Sequence, residues 1–270
     1  MNRKLIPKRD RFALLLRAKE MRIVATFIGR GNKMILEIGG QNGWQAHLLE
    51  KKGHNVTSID TSPLDNNSSF SPVLKYNGHN IPFKDSTFDI VFSSNVLEHI
   101  PHLEDFEKEI LRVLKPNGQA IHVLPTSSWR IWTSLTHPFR VLHALKNRLY
   151  NSHKTSSQSN TDNSTHHLWR YIFWPNRHGE KGNSFSEIYW FSQSAWTQHF
   201  KKTGWHIKKT ITTSLFYTGQ MAMNTHLSIS TRRTMARFFG AATKIYILEP
   251  TQLSGNPKVK HATDSRDRIK

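Results

Sequence analysis

Apolar residues recur along the chain with two different periods, and the switches between them divide it into elements. Residues 12–28 (FALLLRAKEMRIVATFI) place apolar positions at helical spacing with basic residues between them, which predicts an amphipathic helix. Short, largely apolar runs at 34–38, 55–60, 73–76, 88–93 and 119–124 predict five strands. Between the first two, 44–52 reads as a helix closed by Gly53. Before the fifth, Leu103, Phe106, Ile110, Leu111 and Leu114 mark one helical face, and Pro116-Asn117-Gly118 turns the chain. Strand and helix alternating in this way predict a parallel sheet with helices on both faces. After Pro125 the rhythm breaks. A helix over 128–150 is followed by a polar loop at 151–166, an aromatic stretch at 168–191 and a helix over 194–203. Two late strands, 205–213 and 243–248, flank a basic helix near 230–239, and the polar tail 251–270 is expected to be disordered.

Composition narrows this picture. The chain has 270 residues, 37% of them hydrophobic, with 8 Trp and 15 Phe, enough for a large core. The absence of cysteine excludes a disulfide scaffold, a thiolate nucleophile and Cys-ligated metal sites, and fits a reducing compartment. No apolar run is long enough to span a bilayer, and no signal-type apolar segment follows the basic start MNRKLIPKRDRF. A cytoplasmic protein is expected, with peripheral contact on the inner face of the membrane as a further reading.

The net charge of +19 is unevenly placed. Residues 1–33, a basic N-terminal helix, carry net +8; residues 34–125, the expected chemical core, carry net −4. Residues 126–204 read as an inserted, largely helical cap and 205–250 as the last strands of the sheet; together they carry net +12, and the tail adds +3. The charge therefore bears on what the protein meets more than on its chemistry.

The turn after the first strand, Leu36-Glu37-Ile38-Gly39-Gly40-Gln41-Asn42-Gly43-Trp44, stands where open parallel sheets bind ligands. Asp60 ends the next strand, where a carboxylate can accept hydrogen bonds from ribose hydroxyls. A nicotinamide dinucleotide is disfavoured, because the third and sixth positions of its glycine fingerprint are Gln41 and Trp44 here. What remains, Glu37-x-Gly39-x-x-x-Gly43 with an acid at the strand end, suits an adenosine ligand without phosphates.

Over residues 34–125 the sequence resembles the class I S-adenosylmethionine-dependent methyltransferases, especially their type 11 small-molecule group. LEIGGQNG is similar to that family's E-x-G-x-G-x-G turn and VTSID to its second motif. NGHNIPFKDSTFDIVFSSNVLEHI resembles its adenine-binding segment and fourth strand, and LRVLKPNGQAIHV its next helix, turn and fifth strand. The resemblance implies a Rossmann-like, doubly wound α/β fold with a seven-stranded, mostly parallel sheet whose last strand is antiparallel. It implies S-adenosylmethionine as cofactor. Glu37, Gly39, Gly40 and Gly43 would hold the methionine part, Asp60 the ribose and Asn77 the adenine amino group, and Ser94 and Asn95 would line the pocket. Two departures stand out: Gln41 replaces a glycine and Asn77 an aspartate.

Methyl transfer from an activated donor needs alignment and, for a hydroxyl or amine acceptor, a base. Two of sixteen histidines are candidates. His99 follows the fourth strand at the edge of the cofactor site. A related pattern binds a divalent metal in some family members, but Asn95 stands where they have a carboxylate, so no metal is expected. His178 lies in Pro175-Asn176-Arg177-His178-Gly179-Glu180, part of a stretch similar to methyltransferases found among bacterial glycan-assembly enzymes. The aromatics Trp169, Tyr171, Phe173, Trp174, Tyr189 and Trp190 read mainly as packing. The expected acceptor is a small molecule, a glycan or a lipid-linked species. The basic flanks allow an anionic acceptor or a membrane surface; 129–150 mixes Trp, Phe and Leu with Arg and Lys, as interfacial helices do, and the N-terminal helix fits the same description. Nucleic acid, as in an RNA methyltransferase, is disfavoured by Ser93-Ser94-Asn95-Val96 where base-amine methylation needs an Asn/Asp-Pro-Pro-aromatic motif. A cofactor-binding module without catalysis is the non-enzymatic alternative.

Overall fold

The structure, a computed structural model, describes residues 8–64, 69–152, 176–219 and 227–251. Seven strands form one sheet: β1 (Met34–Ile38), β2 (Asn55–Asp60), β3 (Val73–Lys75), β4 (Phe88–Ser94), β5 (Leu114–Pro125), β6 (Trp205–Thr212) and β7 (Thr243–Pro250). Their spatial order is β3-β2-β1-β4-β5-β7-β6. All neighbouring pairs are parallel except those of β7, which runs antiparallel to both β5 and β6. The predicted doubly wound sheet with an antiparallel last strand is thus the observed one.

The helices are α1 (Lys8–Ile28), α2 (Trp44–Glu50), α3 (Leu103–Val113), α4 (Ser127–Ser152), α5 (Ser186–Trp190), α6 (Gln193–Lys202) and α7 (Ile229–Phe239). Central strands are buried on both faces, and successive residues serve opposite cores, as a period of two requires. Leu36, Val91 and Tyr246 point into a cluster with Phe106 and Ile110 of α3 and Phe200 of α6. Ile35, Ile90, Phe92 and Ile245 point the other way, onto Met21, Val24 and Ile28 of α1 and Leu49 of α2.

Two segments sit differently from their predicted roles. The N-terminal helix has no free apolar face, because Met21, Val24 and Ile28 are buried on the sheet while Phe12 and Leu16 pack against Trp129, Leu215 and Tyr217. It is a structural layer of the core, which removes it as a membrane-lying helix. The cap ends earlier than 204, since Trp196 and Phe200 of α6 belong to the main core. Helix α4 runs two residues into the loop predicted at 151–166; the rest of that loop, residues 168–175 of the aromatic stretch, and the tail beyond Thr251 lie outside the described residues.

Candidate functional site

The chain leaves β1 toward β2 on one side and returns to β4 on the other, so the carboxyl ends of β1 and β4 flank the topological switch point. A cleft of about 1290 Å³ opens there. Its walls come from the turn Gly39–Asn42, from Asp60–Ser62, from Ser94–Val96 and from Ala13, Leu14 and Arg17 of α1. Tyr76, Gly78, His79, His99 and His102 form its far rim. Single small-molecule sites run to roughly 1,000 Å³, so the cleft has room for a nucleoside-sized ligand and a second molecule beside it.

The glycine turn is shaped by close approach. A Cβ on Gly43, at φ 67°, would sit 2.2 Å from the Ser71 carbonyl oxygen. One on Gly40 would collide with the Ser58 hydroxyl. Gln41 adopts φ 45°, the left-handed conformation that glycine takes more easily, and its side chain stays exposed instead of crowding the turn. Asp60 fixes this geometry: Oδ2 accepts from the Gln41 N–H at 2.9 Å and Oδ1 from the Ser62 N–H at 2.8 Å. Each oxygen keeps a second acceptor site toward the cleft.

Three predicted cofactor residues, Glu37, Gly43 and Asn77, lie outside the cleft lining. Glu37 is only 1% exposed, lies beneath the turn and is absent from the cleft wall. Its Oε2 accepts from the Ser58 hydroxyl at 2.7 Å, and burial pushes its pKa up to about 7. Asn77 folds its side-chain oxygen back onto its own loop, accepting from the His79 and Asn80 N–H groups, both at 2.9 Å. It too lies outside the cleft lining.

Ser94 and Asn95 do line the cleft, and they meet a residue that the sequence pattern did not single out. Arg17 reaches in from α1. With the Asn95 amide oxygen turned toward it, Asn95 accepts from both terminal nitrogens of the guanidinium and from Ser94 Oγ. Behind it, Arg17 Nη1 donates to Glu20 Oε2 at 2.8 Å. Buried Glu20 in turn accepts from the Tyr217 hydroxyl at 2.7 Å and from Thr243. Burial opposes the charge on Arg17, but Glu20 outweighs it and holds the pKa above its ordinary value. No helical periodicity could reveal this, because the residue matters only through where α1 crosses the sheet.

The two predicted histidines, 79 residues apart in sequence, are brought together. His99 ends a short 3-10 turn (Leu97–His99) and faces the cleft; the His178 ring meets it edge-on with centroids 4.6 Å apart. The Nε2 atoms of both lie 3.9 Å from Glu98 Oε1. These three residues place one carboxylate and two imidazole ligand atoms within 4.8 Å of one another, a set able to take a cation even with Asn95 in place of a carboxylate. Burial pushes Glu98 up to about 8 and His178 down to about 4, His99 and the Arg130 and Arg17 charges adding to the latter. Burial also lowers His99. Near neutrality both rings are therefore uncharged.

The turn that carries His178 is clamped from below. Glu187 Oε1 accepts from the His178 and Gly179 N–H groups, both at 2.6 Å. Its Oε2 lies 2.9 Å from Nε of Arg130, with side chains 0% and 2% exposed. Arg130 also donates to the carbonyls of Ser184 and Asn176, both at 3.0 Å, on either side of the turn. In addition, Glu180 N–H donates to the Glu98 carbonyl at 2.8 Å, and the Trp129 ring lies tilted against that of His178 with centroids 4.6 Å apart.

This core is similar to known proteins. A family model described as a methyltransferase domain matches residues 36–122. An uncharacterized methyltransferase of Mycobacterium sp. (strain KMS) is 28% identical over 126 residues, 42% of this chain and 48% of the relative. A mitochondrial ubiquinone biosynthesis O-methyltransferase of Schizosaccharomyces pombe is 31% identical over 103 residues, 33% of this chain and 36% of the relative. The chain thus spans less than half the length of these relatives. A solved Listeria monocytogenes structure, assigned as an S-adenosylmethionine-dependent methyltransferase, shares the fold, with TM-score 0.50 at 16% identity over 86% of this chain and 97% of that one.

Proposed function

Since residues 36–122 match a methyltransferase-domain family model, we propose that the protein is a class I S-adenosylmethionine-dependent methyltransferase that transfers a methyl group to a hydroxyl or amine of a small-molecule, glycan or lipid-linked acceptor. The observation that carries this reading is the convergence on one cleft of a glycine turn closed to any side chain at Gly43, the anchored carboxylate of Asp60, the cation of Arg17 and the His99–His178 pair.

S-adenosylmethionine, when bound, supplies a methyl group already activated by a positively charged sulfur. The residues present fit it. Asp60 offers its two remaining acceptor sites to the ribose hydroxyls. The turn Gly39–Asn42 lets the backbone approach the ligand, and Arg17 meets a carboxylate. Ser94 and Asn95 form the wall between these ends. Tyr76 and His79 flank the space left for the base, a role that replaces the one expected of Asn77. Glu37 braces the turn from beneath.

The imidazoles supply the proton chemistry. A neutral His99 or His178 accepts the proton that leaves the acceptor hydroxyl or amine. Glu98 Oε1 lies 3.9 Å from both Nε2 atoms, and the imidazolium charge favours its carboxylate form. His99 faces the cleft, and His178 backs it from the clamped turn. Three experiments test this in sequence. Calorimetry with S-adenosylmethionine and its demethylated product should show binding that Asp60→Ala weakens; no binding at millimolar ligand sinks the cofactor assignment. Labelled methyl transfer to a bacterial extract fractionated into glycan, lipid and RNA then identifies the acceptor. Unchanged turnover in both His99→Ala and His178→Ala with that acceptor removes the imidazoles from the mechanism.

A further inference from the structure

Twelve large apolar side chains stand exposed among the described residues, and six of them fall on two neighbouring helices away from the cleft. On α4, Ile131, Leu135, Phe139 and Leu142 are spaced by four, four and three residues, which puts them in one stripe. Phe139 is 74% exposed. The end of α7 lies against the start of this stripe: Trp132 Nε1 donates to the Phe239 carbonyl at 3.0 Å, and the two rings meet at 5.0 Å. Phe238, 79% exposed, and Phe239 extend the apolar surface there.

The polar residues of these helices are one-sided in charge. Neither α4 nor α7 contains Asp or Glu, while together they hold seven Arg and Lys. Two of the seven, Arg130 and Arg232, are buried. Arg233 and Arg237 are exposed one turn apart on α7, next to Phe238.

We propose that the α4–α7 face docks on the surface of an anionic lipid bilayer, with the stripe among the acyl chains and the arginines at the headgroups. Charge selects this occupant. A second copy of the chain would bring cations against cations, in a protein of net charge +19. A nucleic acid would match the charge but not Ile131, Leu135 and Leu142, which have no planar face to stack on a base. Apolar residues beside cations on a helix lying in the interface are what anionic bilayers bind. No described helix is long and apolar enough to cross the membrane, so the contact is peripheral. This inference does not depend on the methyl-transfer reading.

Vesicle co-sedimentation of the full chain tests it, comparing phosphatidylcholine alone with equimolar phosphatidylcholine and phosphatidylglycerol. Binding is expected only to the anionic vesicles and should fall with added salt. Arg233→Glu with Arg237→Glu should weaken it at least roughly 30-fold, the two lost headgroup attractions compounding. Leu135→Ser with Phe139→Ser should abolish it at high salt, whereas Lys51→Glu, just past the end of α2, should leave it close to wild type. All substituted side chains are exposed, and matching thermal unfolding confirms that each variant folds. Equal binding to neutral vesicles, no binding to either kind, or patch variants that bind like wild type would overturn the proposal. So would a vesicle-free dimer, seen by light scattering, that Phe139→Ser dissociates.

Discussion

Replacing Glu187 with alanine should damage the protein more than any other single change in the 176–191 region. The substitution strands the Arg130 guanidinium in the interior. Burial already pushes the Arg130 pKa down, and Glu187 is the charge that opposes this shift. Leaving one member of a buried ion pair alone costs about 3–5 kcal/mol. The His178 and Gly179 N–H groups lose their acceptor as well, at about 1–3 kcal/mol for each that stays buried. These terms overlap, so a total near 4–6 kcal/mol is expected from them. Set against a typical 5–15 kcal/mol of folding stability, such a loss leaves a folded but fragile molecule. At about 2–4 °C per kcal/mol for a domain of this size, Tm falls by roughly 10–20 °C. The turn has a cheaper escape, which is to detach alone and expose Arg130 to water; Tm then falls less, but His178 leaves its place beside His99. Thermal unfolding followed by circular dichroism, paired with methyl transfer, distinguishes these two outcomes. The decisive comparison is a double-mutant cycle. Arg130→Met combined with Glu187→Leu should be more stable than Glu187→Leu alone, because the stranded charge is gone. If Glu187→Ala changes Tm by less than about 2 °C with full turnover, or if the double variant is no better than the single, the clamp does not hold the turn.

Other expectations can be checked alongside. Asp60→Ala should weaken S-adenosylmethionine binding by roughly 10- to 100-fold in calorimetry, the value of one charge-assisted hydrogen bond. Gly43→Ala drives a methyl group into the Ser71 carbonyl and should abolish measurable binding; retained affinity refutes the closed turn. Arg17→Met should lower cofactor affinity while Arg17→Lys restores part of it, and equal losses would show that charge is not what Arg17 contributes. Glu98, raised to about 8, favours the fold in its neutral form, so its contribution is complete below the ordinary carboxylate range and is lost as pH climbs through about 8. Glu98→Gln should therefore raise Tm at pH 8.5 more than at pH 5, and the opposite order refutes the shift.

The sheet was legible because burial on both faces writes itself into consecutive apolar residues, as in Met34–Ile38 and Phe88–Ser94. Asp60 and the glycine turn were legible because a tight approach of backbone needs particular residues at fixed spacing. The placement of the Glu37 and Asn77 side chains was not, since a motif position does not say whether a side chain points into a cleft or under it. Local bonds decided both: Ser58 holds one, and the peptide groups of His79 and Asn80 hold the other. Arg17, Arg130 and Glu187 left no trace in any period, because each acts on partners brought near only by the finished packing. An apolar face was expected on α4 and on α1 alike; the sheet covers the stripe of α1, whereas Ile131, Leu135, Phe139 and Leu142 of α4 stand exposed.

The anchoring of Glu20 has a consequence for the order in which the protein becomes competent. Its partners Tyr217 and Thr243 lie 197 and 223 residues downstream. A ribosome therefore completes the glycine turn, Asp60 and Asn95 long before it makes the groups that anchor Glu20, the carboxylate behind Arg17. A nascent chain that has released β1–β5 has the floor of the site and Arg17 but lacks the Tyr217 and Thr243 bonds that brace Glu20 behind it. Tight ligand binding should appear late in synthesis, when β7 slots between β5 and β6 and draws the first helix into place.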